Sequence, residues 1–240
     1  MQRVILGIVI SYAAMAQPPA FDVASVKLSE PVPYGQNYNI NLGRVLHGEV
    51  TLTNTTLSDC VRFAYNLVSD DQIAGPEWIK SREFRYDIVA KSAPDTPRER
   101  LLQMVQTLLA ERFNMQTHRE PRVLAHYELV VAKGGLKMKE AQPDASSDTR
   151  FGNGSLLRVS SHRMPMFRLV ILLSRNLRQA VLDKTGLTGE YDENLEWTSD
   201  DSGPSIFSAI QDQLGLKLEP HKSPVEIVVV DRADKVPVAN

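Results

Sequence analysis

Cysteine is almost absent from this chain, since Cys60 is the only one among 240 residues. A single cysteine cannot form an intramolecular disulfide, so packing alone must stabilise the fold even in an oxidising compartment. It also excludes a zinc ribbon, which needs several cysteine ligands. Positions 57, 60, 61 and 64 share one face of a predicted helix, and we therefore predict that Cys60 is a buried, unreactive thiol.

A strong net charge and recognisable catalytic motifs are also missing. The net charge is −2, so no global cationic field favours nucleic acid, and we expect no nucleic-acid partner. The five histidines form neither an H-E-x-x-H motif nor a pair at i, i+4, and we predict no metal and no cofactor. The sequence also lacks a G-x-S-x-G motif and a phosphate-binding glycine loop.

The first sixteen residues have the pattern of a signal peptide. Arg3 precedes an apolar stretch at residues 4–14, and residues 14–16 (AMA) match an A-x-A cleavage site. The apolar stretch has about half of the roughly 20 residues that a membrane-spanning helix needs. We therefore expect a mature start at Gln17, no membrane span after cleavage, and a secreted or periplasmic location.

Apolar periodicity and helix-start signals predict four helices. In chain order, these helices are predicted to begin at Thr56, Thr96, Pro165 and Pro204. In the first two, the N-cap threonine is followed three residues later by Asp59 or Glu99, which would close a capping box. The third helix is expected to end near Leu177, and Gly215 is expected to end the fourth.

Alternating apolar residues predict the strands. Single strands are expected at residues 21–27, 84–90, 155–160, 180–183 and 191–197. Two terminal hairpins are expected as well, one at 113–132 with a turn at Glu120-Pro121, and one at 216–231 with a turn at 220–224. Helices and strands therefore follow a similar order in two parts of the chain.

We predict an α+β fold of two related halves, each a small, mostly antiparallel sheet with two helices on one face. The alternative is a single continuous sheet that carries all four helices. Residues 136–154 contain charges and glycines without periodicity, which favours a linker or long loop. The predicted segments are a signal peptide (1–16), a first half (17–135), this linker (136–154), a second half (155–235) and a tail (236–240).

The charge distribution is uneven in the second half. No acidic residue occurs from Thr149 to Leu182, where the six positive charges are all arginines, whereas six acidic and no basic residues lie between Thr185 and Asp201. Arginine suits bidentate binding of carboxylates and phosphates. We predict an anion-binding face formed by Arg158, Arg163, Arg168, Arg175 and Arg178. The alternative is that the two segments pair internally as a surface ion-pair network.

Several segments of the chain resemble a known family. They are FDVASVK (21–27), GPEWI (75–79), FRYDI (84–88), LLAERFNMQTH (108–118), YELVVAKGGL (127–136), VLDKTGLTGEYD (181–192), LEW (195–197) and LGLKLE (214–219). In these segments the chain is similar to domain of unknown function 3738, a secreted soil-bacterial family abundant in Acidobacteria. The resemblance implies an envelope accessory role without an established activity, since similar domains occur fused to antibiotic-sensor-like membrane metallopeptidases and thioredoxin-like modules.

One residue departs from this family pattern. Glu193 stands where we expect an apolar aromatic residue after Tyr191 and Asp192. The departure leaves open how deeply that strand face is buried. A second, architectural resemblance involves residues 50–59, a predicted strand leading into a capped helix. This segment is similar to the short N-terminal domains of secretins and TonB-dependent receptors, which are periplasmic protein-contact modules.

Two tryptophans are further candidates for a binding surface, because an exposed indole can stack on a sugar ring. Trp78 and Trp197 each lie in or beside an apolar alternation, so the alternative is packing in the core or at a sheet edge.

Taken together, these observations favour an exported, non-enzymatic envelope protein that binds a protein partner or an anionic envelope polymer, with its oligomeric state left open. The exposed edges of the predicted hairpins could add a strand from a partner. The alternative is an envelope hydrolase with a site built from Ser161, His162 and Asp183.

Overall fold

The computed structural model describes residues 18–30, 40–142, 148–152, 156–198, 200 and 202–238, with the 148–152 segment described by its backbone. The predicted signal peptide and its cleavage site lie outside these residues. The helices are α1 (Leu57–Ala64), α2 (Arg98–Arg112), α3 (Met166–Leu177) and α4 (Ile206–Ala209), the last continued by a π-helical turn at Ile210–Leu214. The strands are β1 (Val23–Leu28), β2 (Asn41–Leu46), β3 (Glu49–Thr55), β4 (Ile73–Ala74), β5 (Tyr86–Lys91), β6 (Gln116–Val131), β7 (Lys139–Glu140), β8 (Asp148–Gly152), β9 (Leu156–Pro165), β10 (Val181–Asp183), β11 (Glu190–Thr198) and β12 (Leu216–Arg232).

These strands form three four-stranded sheets within the described residues. The first sheet has the order β1-β5-β3-β2 and the third has the order β7-β11-β9-β8, and both are antiparallel throughout. The second sheet has the order β10-β6-β12-β4, with an antiparallel central pair and a parallel strand on each side. Helices and sheets together confirm the α+β class.

The two longest strands, β6 and β12, pair with each other along almost their whole length. Their antiparallel register runs from the Gln116–Arg232 pair to the Val131–Leu216 pair. The hairpins predicted at 113–132 and 216–231 are therefore wrong, because each segment passes through its prolines as one continuous strand. Since β6 belongs to the first predicted half and β12 to the second, one sheet contains strands from both.

The prolines of these long strands are tolerated because of where they lie. Pro121, Pro220 and Pro224 are all exposed. Among the described residues, β4 joins β12 only at Val228 and Val229, and β10 joins β6 only at 127–129. The outer edge is thus free at each proline, where a missing N–H removes no ladder hydrogen bond.

Two apolar cores lie near opposite ends of this shared pair of strands. The first core lies between the first sheet and helices α1 and α2, and it takes Val228 and Val230 from β12. The second lies between the third sheet and helices α3 and α4, and it takes Leu129 from β6. The long strands therefore contribute side chains to the core of the opposite half, which couples the packing of the two cores.

Residues 136–154, predicted as a linker or long loop, contain two of the strands. Strand β7 pairs with β11, and β8 pairs with β9. Part of this segment lies outside the described residues. The proposed boundary between two halves stays a prediction.

Most of the helix-end signals act as predicted. At α1, the Thr56 hydroxyl accepts a hydrogen bond from the Asp59 N–H, and the Asp59 carboxylate accepts one from the Thr56 N–H, so this capping box is confirmed. At α2, the predicted box is wrong, because the Thr96 hydroxyl instead donates to the Ala93 carbonyl at 2.7 Å, and the N-cap is Pro97. In the described part of the chain, none of the helices combines the length and apolar character that a membrane span requires.

The thiol of Cys60 is fully buried in the first core, as predicted. Burial raises its pKa to about 12. Because the thiolate is the reactive form, we expect the native protein to resist Ellman's reagent at about pH 8, and to titrate as one thiol per chain only after denaturation. The absorbance after mixing with the reagent, with and without denaturant, measures how many thiols have reacted. Full labelling of the native protein within the mixing time would contradict the buried placement.

Candidate functional site

A cleft with a volume of about 830 Å³ lies where β2 and α1 approach β9 and α3. Five arginines line it, namely Arg62, Arg98, Arg158, Arg168 and Arg175. Two asparagines and several apolar side chains complete the wall, including Phe63, Leu157, Phe167, Ile171, Leu172 and Trp197. We call this cavity the arginine cleft.

Helix α3 contributes two of the arginines because one of its faces packs in the second core and another lines the cleft. Leu169 and Leu173 are buried in the second core. Arg168 and Arg175 lie seven residues apart, or about two helical turns, and both line the arginine cleft. Arg178 follows Arg175 by three residues, but it lies just beyond the end of the helix in a left-handed conformation with φ of 51°. It is exposed and is not part of the cleft lining.

Two of the five arginines are neutralised by carboxylates. Arg62, on α1, contacts Asp59, and its Nη1 lies 3.0 Å from Oδ1 of Asp70. On β9, Nε of Arg158 lies 2.6 Å from Oε1 of Glu196, its cross-strand neighbour on β11. These two side chains therefore add little net positive charge to the cleft.

The other three arginines have no such partner. Arg98, Arg168 and Arg175 form no ion pair with any residue that the structure describes. The guanidinium of Arg98 instead stacks on two aromatic rings, with its central carbon 4.6 Å from the centroid of Phe167 and 6.0 Å from that of Phe63. Both contacts fall within the range of cation–π attraction.

The electrostatic environment of Arg98 and Arg175 is unfavourable to their own charge. Burial lowers the pKa of Arg98, and the positive charge of Arg168 lowers it further, while Glu99 opposes the shift. Burial also lowers the pKa of Arg175, and the charge of Arg62 adds to this effect, while Asp59 and Asp70 oppose it. Arginine nevertheless stays protonated in proteins, so Arg98 and Arg175 are partly desolvated positive charges that lie near other arginines.

The structure brings together four of the seven residues predicted as binding residues. Arg158, Arg168, Arg175 and Trp197 all line the arginine cleft. Arg163 lies elsewhere, with its Nε 2.6 Å from Oε2 of Glu190.

Trp78 also lies outside the cleft lining. Its ring packs edge-to-face on Phe84, with the ring centroids 6.0 Å apart, beside the first core. The internal pairing that we considered as an alternative occurs between β9 and β11, at Arg158–Glu196 and Arg163–Glu190. It does not extend to Arg168 or Arg175.

Sequence reasoning missed two arginines, both from the first predicted half. Arg62 follows Asp59 by three residues, which is typical of a surface ion pair on a helix. Arg98 carried a usable signal, because a basic residue in the first turn of a helix is disfavoured by the helix dipole. Its position at the start of α2 is explained by its contacts across the cleft with Phe63 and Phe167.

The residues of the predicted hydrolase site are arranged unfavourably for catalysis. Ser161 and His162 are neighbours on β9, so their side chains point to opposite faces of the sheet. Ser161 is buried, whereas the exposed His162 places Nδ1 3.3 Å from Asp192. Asp183 lies on β10 in another sheet, where its carboxylate accepts from the Thr185 hydroxyl at 2.7 Å. Within the described residues, no cluster of histidine, cysteine and acidic side chains is arranged to hold a metal ion.

Glu193, the departure from the family pattern, is a buried acid. It is 5% exposed, and neither of its carboxylate oxygens has a hydrogen-bond partner among the described residues. Burial raises its pKa to about 7. The strand face that it occupies is therefore buried despite the charge that the sequence places there.

Comparison with known proteins gives one match. The model of a family described as a protein of unknown function, DUF3738, matches residues 58–233. Searches of the curated proteins and of the solved structures found no match. The matched range includes α1 to β12, and hence the helices and strands that carry all five arginines of the cleft. The chain therefore belongs to the DUF3738 family of proteins of unknown function.

Proposed function

We propose that this protein is an exported, non-enzymatic binding protein of the cell envelope that captures an anionic ligand in the arginine cleft. The observation that carries the proposal is the set of three arginines in one cleft, Arg98, Arg168 and Arg175, which form no ion pair with a carboxylate of any described residue. A guanidinium offers five N–H donors in a planar fork that matches a carboxylate or a phosphate.

Physical chemistry favours an anion at this place. Placing several like charges in one cleft is unfavourable, because they repel one another and because burial removes part of the hydration of Arg98 and Arg175. A bound anion would relieve both effects and would form charge-assisted hydrogen bonds, which are stronger than neutral ones. Surface ion pairs such as Arg163–Glu190 contribute little by comparison.

We also propose that the chain consists of two related halves, and the location of the cleft agrees with this. The strand orders β1-β5-β3-β2 and β7-β11-β9-β8 correspond position by position in chain order. When the first residues of α1 and α3 are aligned, cleft residues 62, 63, 66 and 67 correspond to cleft residues 171, 172, 175 and 176. Equivalent helix faces of the two halves would then meet across the ligand.

The envelope location rests on sequence patterns. Residues 1–16 have the basic, apolar and A-x-A pattern of a signal peptide. The family resemblance to secreted proteins and the similarity of residues 50–59 to periplasmic contact modules agree with export. In that compartment, acidic groups on envelope polymers, lipids and partner proteins would supply anionic ligands.

Thermal stability in the presence of anions tests the proposal. Four anions are compared at constant ionic strength, namely acetate, phosphate, sulfate and citrate. We expect at least one of them to raise the Tm of the unaltered protein by several degrees. A ligand at 100 times its Kd stabilises the folded state by about 2.7 kcal/mol. In the double variant Arg168→Gln, Arg175→Gln, this increase in Tm should disappear.

A matched control separates the cleft from general charge effects. The double variant Arg163→Gln, Arg178→Gln removes the same charge from two arginines outside the cleft lining. It should keep the full anion-dependent increase in Tm. Equal responses in both double variants, or no response in the unaltered protein, would overturn the proposal.

A further inference from the structure

We propose, resting on the proposed function, that the ligand of the arginine cleft is an amphiphilic acid, with one acidic headgroup attached to an aliphatic chain. The headgroup would bind Arg168 and Arg175, and the chain would lie against the apolar wall. The apolar wall points to this ligand class, since anion binding alone does not require one.

The apolar wall is contributed from both sides of the cleft. Phe63 comes from α1 and Leu67 from the segment just after it, and Phe167, Ile171 and Leu172 come from α3. A site for a small inorganic anion needs donors and no such wall, whereas small-molecule sites are mainly apolar with a few convergent polar groups. The volume of about 830 Å³ also falls in the range of small-molecule sites.

The helix faces place the charged and apolar groups side by side. On α3, Ile171 and Leu172 lie between Arg168 and Arg175, so both kinds of side chain occupy one face. Across the cleft, Arg98 covers the ring of Phe167. A ligand bound to Arg168 and Arg175 would therefore lie beside apolar side chains. An acid with an aliphatic chain satisfies both surfaces, whereas a fully hydrated polymer leaves the apolar one uncovered.

Tryptophan fluorescence can test this placement directly. The chain has two tryptophans, of which Trp197 lines the cleft and Trp78 does not. In the variant Trp78→Phe, Trp197 is the only emitter. We expect a decanoate with bromine on its chain to quench this emission at saturation, while bromoacetate at the same concentration quenches much less.

Chain length provides a second measurement on the unaltered protein, which does not depend on the folding of a variant. Each methylene group transferred from water to an apolar surface strengthens binding by up to about fourfold. Calorimetry should therefore give a Kd for decanoate about tenfold below that for octanoate. The double variant Arg168→Gln, Arg175→Gln should weaken decanoate binding about tenfold or more, because it removes hydrogen bonds to a charged group.

The outcomes separate this inference from the proposed function. Arginine-dependent binding of acetate or phosphate with no gain from a longer chain would overturn the amphiphile and leave anion binding intact. Chain-length-dependent binding that persists in the double variant would overturn both. Binding of monomeric decanoate alone would identify a free acid as the source, and cosedimentation with phosphatidylglycerol vesicles, lost in the double variant, would identify a lipid headgroup.

Discussion

The variant Gly215→Ala should lose about 3–4 kcal/mol of unfolding free energy. Gly215 has φ of +70°, and a Cβ built there would lie 2.1 Å from the Gly135 carbonyl oxygen and 2.7 Å from the Lys137 nitrogen. The left-handed conformation itself costs an alanine about 1–2 kcal/mol. Relieving the collision would also strain two backbone hydrogen bonds, Ala132 N–H to Gly215 O and Lys137 N–H to Leu214 O, each contributing about 1 kcal/mol. Urea unfolding measures the loss.

Gly186 supplies a matched control for this prediction. It has nearly the same φ, +71°, but no atom lies within 4 Å of a Cβ built there. Gly186→Ala should therefore cost only the conformational strain, about 1–2 kcal/mol. The difference between the two variants isolates the close approach of the backbone at the end of the fourth helix. Equal losses in the two variants would refute that close approach.

Replacing Glu193 by glutamine should stabilise the protein above neutral pH by about 3 kcal/mol. The carboxyl is buried, and burial raises its pKa from 4.5 to about 7. Below pH 4.5 the group is protonated in both the folded and the unfolded chain, so it favours neither state. Between these pKa values the unfolded chain releases the proton first, and the folded state loses about 1.4 kcal/mol for each pH unit. Glutamine cannot ionise and avoids this loss.

The pH dependence distinguishes this explanation from better packing. The stability difference between Glu193→Gln and the unaltered protein should be near zero at pH 4 and should grow to its full value by about pH 8. A constant difference across this range would contradict a buried ionisable group. Glu196, on the same strand, provides the control, because Glu196→Gln only removes a surface pair with Arg158. That change should alter stability by less than about 1 kcal/mol.

Local signals predicted the helices well and the long strands poorly. The capping box at Thr56 and the left-handed glycine at Gly215 involve neighbours a few residues away, so the sequence contains all the information they need. Pro121 is a local turn signal as well, but its effect depends on whether the strand edge beside it is free. Which side of β6 is left as an edge depends on its pairing with β12, about 100 residues further along the chain, and a local pattern contains no information about that pairing.

In the candidate site as well, local signals predicted some residues and missed others. The arginine-only segment marked Arg158, Arg168 and Arg175 in advance, because charge asymmetry is visible along the chain. The same segment contained Arg163, which lies outside the cleft lining and pairs with Glu190 on a neighbouring strand. Arg62 and Arg98 also line the cleft, but they belong to the first predicted half of the chain. Whether an arginine forms an ion pair depends on which residues the tertiary structure packs around it.

By itself, the sequence determined the mixed α+β class, the buried position of Cys60, most of the helix ends and an excess of arginine in the second half, since periodicity, capping and charge act over short separations. Only the tertiary structure decided that β6 and β12 pair across the molecule, that Glu193 is enclosed without a hydrogen-bond partner among the described residues, and that three arginines of one cleft form no ion pair with any of those residues. Each of these depends on segments far apart in the chain, and their approach is determined by the packing of the two cores as a whole.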